Sequence, residues 1–146
     1  MADPRFFETA GPFTAEALSA AANGVLDGAP PMGLLTGVAS IDSAGPGDVT
    51  FLSNRSYISK LAECRAGLCI MAAADVPRAP EHLPLLVAPA AYMAFARVSR
   101  CFHPPRSANP GTHPRAIVED GVVIGQGVEI GPGAVVMAGA EIGDGT

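Results

Sequence analysis

The stretch that decides the fold is AIVEDGVVIGQGVEIGPGAVVMAGAEIGDGT, residues 116–146. A branched aliphatic residue recurs every six positions from Val118: Ile124, Ile130, Val136 and Ile142 follow in phase. Four residues after each comes a small or β-branched residue: Val122, Val128, Ala134, Ala140 and Thr146. A period of six fits neither the 3.6 of a helix nor the 2 of a plain strand. It suits a triangular coil in which each hexad forms one side and the aliphatic residue points into the prism. Glycines at 125, 131 and 143 follow three of the aliphatic positions and read as the strain-relieving turn residues. A disordered Gly/Val tail would not hold branched aliphatics in phase over five hexads.

This pattern resembles the hexapeptide-repeat acyltransferase superfamily, whose fold is a left-handed parallel β-helix. Three hexads make a coil, so residues 118–146 supply about one and a half coils. A solenoid needs about three stacked repeats and caps to bury its ends. The pattern stops at Asp144-Gly145-Thr146 with neither. The expectation is a piece of a longer protein, whose repeats by themselves fray or self-associate.

Upstream the composition differs. Residues 14–23 read as a helix capped by Thr14 and ended by Asn23-Gly24. Strands are expected within Gly33–Ile41, at Val49–Leu52, Gly67–Met71 and Leu85–Val87. A helix begins at Ser53 or Asn54 and runs to about Cys64 on the apolar spacing Tyr57, Ile58, Leu61. Another covers 90–102, with Tyr92, Phe95, Val98 and Phe102 at core spacing. Strands alternating with helices make residues 1–103 an α/β domain. Residues 104–115 form a proline-rich linker, expected to lack regular structure, and 116–146 begin the β-helix.

The chain has 146 residues and a formal charge of −5. Acids and bases balance up to residue 115, whereas the repeats carry Glu119, Asp120, Glu129, Glu141 and Asp144 and no base. Without a basic stripe, nucleic-acid binding is not expected. Cys64, Cys69 and Cys101 are odd in number and lack CxxC spacing, which argues against a disulfide framework or zinc and for reduced thiols in a cytoplasmic protein. The first residues, MADPRFFETAGPF, lack a leader's basic-then-apolar pattern, and no stretch reads as membrane-spanning.

A second run narrows the family. Gly47-Asp48-Val49-Thr50-Phe51-Leu52-Ser53-Asn54-Arg55-Ser56-Tyr57 resembles the signature region of UDP-3-O-acylglucosamine N-acyltransferases. Asp42 and Ser43 stand at the expected distance before it, and His113-Pro114 followed by Ala116-Ile117-Val118 resembles that family's entry to its repeats. The resemblance implies transfer of a 3-hydroxyacyl group from acyl carrier protein to the 2-amine of UDP-3-O-acylglucosamine, in lipid A biosynthesis. The acyl thioester is a co-substrate, and no resident cofactor or metal is implied. It also implies a homotrimer, at work in the cytoplasm at the inner face of the inner membrane.

By motif, the uridine contacts fall on Phe51, Asn54 and Tyr57. Uracil's imide edge suits an Asn carboxamide, and its flat ring suits aromatic faces. On the residues alone, Phe51 and Tyr57 fit core aromatics and Asn54 fits a helix cap equally well. No residue is assigned a catalytic role. The resemblance puts the histidine base beyond residue 146, and His82, His103 and His113 read as loop or linker residues. Residues 1–146 alone are therefore expected to bind UDP without transferring acyl groups. The basic docking patch for acyl carrier protein is expected downstream of the acidic coil. Other readings are a uridine-nucleotide binding module on a β-helix stalk, or another hexapeptide sugar acyltransferase.

Overall fold

The computed structural model describes residues 9–106 and 108–146. The leader reading of the first eight residues, and Ser107 in the linker, lie outside them. The chain divides into two compact units, one up to Pro104 and one from Pro105 to Thr146.

The first unit is built on a five-stranded sheet. Its strands are β1 (Val25–Asp27), β2 (Gly37–Val38), β3 (Asp48–Phe51), β4 (Leu68–Met71) and β5 (Leu85–Val87), in the spatial order β1-β5-β4-β3-β2. β2 through β5 pair in parallel, and β1 adds antiparallel along the β5 edge. β4 reads Leu-Cys-Ile-Met and is buried throughout, as a central strand covered on both faces must be.

One face is covered by α1 (Ala15–Ala22) and α2 (Ala91–Phe102), which also touch each other. Thr14 caps α1 by accepting the Ala17 N–H, and Asn23 ends it in the left-handed conformation at φ 52°. Leu18, Leu35, Val49, Ile70, Leu86, Val98 and Phe102 form the core on this side. Burying a side chain such as Phe102 contributes about 1.5–3 kcal/mol. The opposite face is covered by irregular chain and two 3-10 helices, Arg55–Glu63 and Ala73–Arg78, over Leu52, Leu61, Cys64, Cys69 and Met71.

Several expectations change here. The segment after Asn54 winds as a 3-10 helix, so its faces repeat every three residues. Leu61 is buried, Ile58 half-buried and Tyr57 42% exposed, so Tyr57 is no core aromatic. In α2 the buried stripe runs through Ala91, Ala94, Val98 and Phe102, leaving Tyr92 65% exposed. β1 and the helix at Ala73–Arg78 had no sequence signal strong enough to read, being three and six residues long.

In the second unit, short strands β6 (Gly111–Thr112), β7 (Ile117–Val118), β8 (Val123–Ile124), β9 (Glu129–Ile130), β10 (Val135–Val136) and β11 (Glu141–Ile142) recur every six residues. β6 pairs with β9, β7 with β10 and β8 with β11, all in parallel and eighteen residues apart. Three hexads therefore close each coil. β6 falls inside the stretch read as structureless linker. Thr112 stands six residues before Val118 and eighteen before Ile130, a β-branched residue occupying an aliphatic slot.

The turn glycines also differ from expectation. Positive φ falls at Gly121, Gly127, Gly133, Gly139 and Gly145, between 69° and 81°, once in each hexad from β7 onward. Gly125 instead lets the next coil approach, because a Cβ there would collide with Asp144. Glu119 accepts the Ala138 N–H at 2.8 Å, and Asp144 accepts that of Gln126 at 2.7 Å, so corner carboxylates stitch adjacent coils.

Candidate functional site

In open parallel sheets, ligands gather beyond the carboxyl ends of the strands, where side chains converge without a strand to pair with. A cavity of about 320 Å³ lies there, past the ends of β2 and β3. Ser40, Ile41 and Asp42 form one wall, and Thr50 through Asn54 with Tyr57 form the rest. The structure thus brings Phe51, Asn54 and Tyr57 to one cavity.

Each is held differently. Phe51 is the last residue of β3, anchored by pairing with Ile70 of β4. Phe95 stacks on it, with centroids 4.1 Å apart and planes 20° from parallel, and Tyr92 meets it edge-on at 6.0 Å. Asn54 caps the first 3-10 helix: its Oδ1 accepts the Ser56 N–H at 3.0 Å and the Ser56 hydroxyl at 2.8 Å. A carbonyl oxygen has two lone pairs. Both are engaged here, so the Nδ2 amide is the part of Asn54 left to donate to a ligand.

Tyr57 stands one turn into that helix. Lys60, one turn further, sets its ammonium 5.1 Å from the ring centroid. Asp42 holds that ammonium at 2.7 Å, and its hydrogen bond raises the Lys60 pKa above the ordinary lysine value. The helix start is fixed from another side by Arg55, whose Nε donates to the buried Asp75 carboxylate at 2.9 Å; Arg78 donates to the same oxygen at 3.2 Å.

Sequence reasoning missed four contributors. Lys60 was readable as the i+3 neighbour of Tyr57 on a helix face. Phe95 and Tyr92 were assigned to the core, and only the tertiary structure shows them behind Phe51. Thr50 is fully buried on the cavity lining, and its hydroxyl has no hydrogen-bond partner among the described residues.

The remaining candidates lie elsewhere. His82 Nε2 is 3.1 Å from the Cys64 carbonyl oxygen, and His113 Nδ1 accepts the Arg115 N–H at 3.1 Å. Neither lines the cavity, nor does His103. Cys64, Cys69 and Cys101 are free thiols, and burial pushes the Cys69 thiol up to about 12. Among the described residues no cluster of three His, Cys, Asp or Glu could hold a metal ion, and no helix is long and apolar enough to cross a membrane.

Comparison with known proteins follows the same division. Residues 34–101 match the family profile of UDP-3-O-(3-hydroxymyristoyl) glucosamine N-acyltransferase, LpxD, and residues 121–146 match that of the bacterial transferase hexapeptide, six repeats. The chain is 41% identical over 129 residues to a UDP-3-O-acylglucosamine N-acyltransferase of Granulibacter bethesdensis, covering 88% of this chain and 38% of the relative. A protein of the same name from Bradyrhizobium sp. strain BTAi1 is 36% identical over 150 residues, covering 98% and 42%. One from Aromatoleum aromaticum is 44% identical over 81 residues, covering 56% and 24%. The chain spans about two-fifths of the length of the first two relatives. With the β2–β3 cavity in the first matched segment and the hexads in the second, this chain belongs to the UDP-3-O-acylglucosamine N-acyltransferase family.

Proposed function

We propose that the cavity past β2 and β3 binds the uridine of UDP-3-O-acylglucosamine, and that the protein transfers a 3-hydroxyacyl group from acyl carrier protein to the 2-amine of that sugar in lipid A biosynthesis. The observation that carries the reading is the convergence of Phe51, Asn54 and Tyr57 on one cavity of about 320 Å³. That volume lies at the lower end of small-molecule sites, which run about 300–1,000 Å³, and suits a nucleobase.

In this reading the base slides against Phe51, whose other face is taken by Phe95, and against Tyr57, whose ring faces the Lys60 ammonium. Each aromatic face contributes about 1–3 kcal/mol of stacking. Asn54 Nδ2 donates to a uracil carbonyl while its Oδ1 stays on Ser56. Asn54 thus serves as cap and ligand contact at once, rather than offering its whole carboxamide to the imide edge. The acyl thioester is a co-substrate, and the amine attacks it. No step of that attack is assigned to a residue of this chain.

The finer architecture belongs to the same reading. The coils wind left-handed, and three copies assemble side by side, working in the cytoplasm at the inner face of the inner membrane. Residues 1–103 serve as the uridine-binding domain and 116–146 start the β-helix.

Titration of UDP and UDP-3-O-acylglucosamine against wild type, Asn54→Ala and Tyr57→Ala tests the reading. Both variants should bind at least tenfold more weakly, on the loss of about 1.4 kcal/mol or more each. Binding by both at the wild-type level would show the assignment to be wrong.

A further inference from the structure

We infer that Lys60, gripped by Asp42, is a positioning residue of this cavity: it backs the Tyr57 ring and masks a carboxylate in the cavity wall. The inference rests on the uridine reading above.

The geometry has three parts. A 3-10 helix has three residues per turn, so the side chains at 57 and 60 eclipse, and the ammonium comes to 5.1 Å from the ring centroid. The ammonium reaches both Asp42 oxygens, at 2.7 and 2.9 Å, which fixes where it sits. Asp42 belongs to the wall that follows β2, whereas Tyr57 and Lys60 belong to the helix that follows β3. The pair therefore ties the two sides of the cavity together and sets the outer face of the ring.

Charge gives the pair a second consequence. Asp42 lines the cavity, and the proposed ligand carries phosphates. An unneutralised carboxylate there would repel them, and the repulsion would act on UDP but not on uridine. Lys60 cancels that charge. With side chains 46% and 54% exposed, the pair adds little to stability; its consequence is at the ring and in the charge of the cavity wall.

The two roles separate in a four-way titration of UDP and uridine against wild type, Lys60→Met, Asp42→Asn/Lys60→Met and Lys60→Arg. Loss of the cation over the ring should weaken uridine roughly threefold. UDP should weaken by that factor and roughly threefold more, the second factor shrinking as salt is raised. The double variant should regain the charge part, so that UDP and uridine are weakened alike. Lys60→Arg should bind both as wild type does. Lys60 is exposed, and superimposable melting curves separate these effects from loss of fold.

Wild-type binding by Lys60→Met overturns the inference, as does a double variant no better than Lys60→Met for UDP at low salt. Tyr57→Ala is the control for the underlying reading. If it binds UDP as wild type does, the uridine assignment falls and the inference with it. If it fails while Lys60→Met is unchanged, the inference alone falls.

Discussion

Asn54 is asked to do two jobs, and one substitution separates them. Its Oδ1 caps the 3-10 helix through Ser56, and its Nδ2 is the proposed donor to uracil. Asn54→Asp keeps an oxygen where the cap needs one, and Asp caps as well as Asn does. A negative charge at a helix start is also favourable. It removes only the donor. Asn54→Ala removes both. For stability, the lost cap in Asn54→Ala costs about 1 kcal/mol, within a range of about 0.5–2. In a unit of this size that lowers the melting temperature by about 4–8 °C per kcal/mol, whereas Asn54→Asp should melt within about 2 °C of wild type. For binding, Asn54→Asp loses a hydrogen bond and sets a carboxylate against a carbonyl oxygen of the base. A lost donor that leaves a buried acceptor unsatisfied costs about 1–3 kcal/mol, roughly five- to 150-fold in Kd. The assay pairs thermal unfolding followed by circular dichroism with calorimetric titration of UDP. The refuting result is Asn54→Asp with wild-type melting and wild-type UDP affinity, which would leave Asn54 a cap and nothing more.

Three further outcomes are expected. Phe95→Leu keeps an apolar group behind Phe51 but loses the 4.1 Å stack, worth about 0.5–1.5 kcal/mol, so UDP should weaken by up to about tenfold and Phe95→Tyr should restore it in the same titration. Gly67→Ala drives a Cβ into the Pro46 carbonyl oxygen and to 2.8 Å from Leu35; denaturant unfolding should show a loss of about 1–3 kcal/mol, and an unchanged midpoint would contradict that packing. Cys69 is held neutral by burial, its pKa raised from 9.0 to about 12, so its contribution to stability is complete below pH 9 and is lost as pH climbs from 9 toward 12, by at most about 4 kcal/mol. In alkylation of the folded protein at pH 8, half-buried Cys101 should react first and Cys69 resist, and equal rates would refute the burial.

What the sequence revealed depended on whether a signal was periodic. The hexads were legible because five aliphatics stay in phase, and parallel pairs eighteen residues apart follow from that period. The coil's first strand was not, because Thr112 fills its aliphatic slot with a polar β-branched residue among prolines. The turn glycines were misassigned to 125, 131 and 143, although Gly121, Gly127, Gly133, Gly139 and Gly145 keep the stricter repeat and carry the positive φ. In α2 the eye goes to the aromatics, yet packing at the sheet demands small residues, so Ala91 and Ala94 face inward and Tyr92 outward.

At the site, the motif pointed to Phe51, Asn54 and Tyr57, and no spacing could tell a core ring from an exposed one. Exposure of Tyr57 comes from the three-residue period of its helix, which turns Leu61 inward in its place. Partners brought from distant sequence, Asp42 to Lys60 and Phe51 to Phe95, are tertiary facts with no local trace.

The central claim is that uridine enters the cavity past β2 and β3. At 14.8 kDa the chain suits residue-resolved NMR, and the most direct measurement is a UDP titration followed through backbone amide shifts. Saturable shifts are expected to concentrate at Ser40–Asp42 and Thr50–Tyr57, with a midpoint at least tenfold higher in Tyr57→Ala. Saturable shifts centred elsewhere, or none at millimolar UDP, would contradict it.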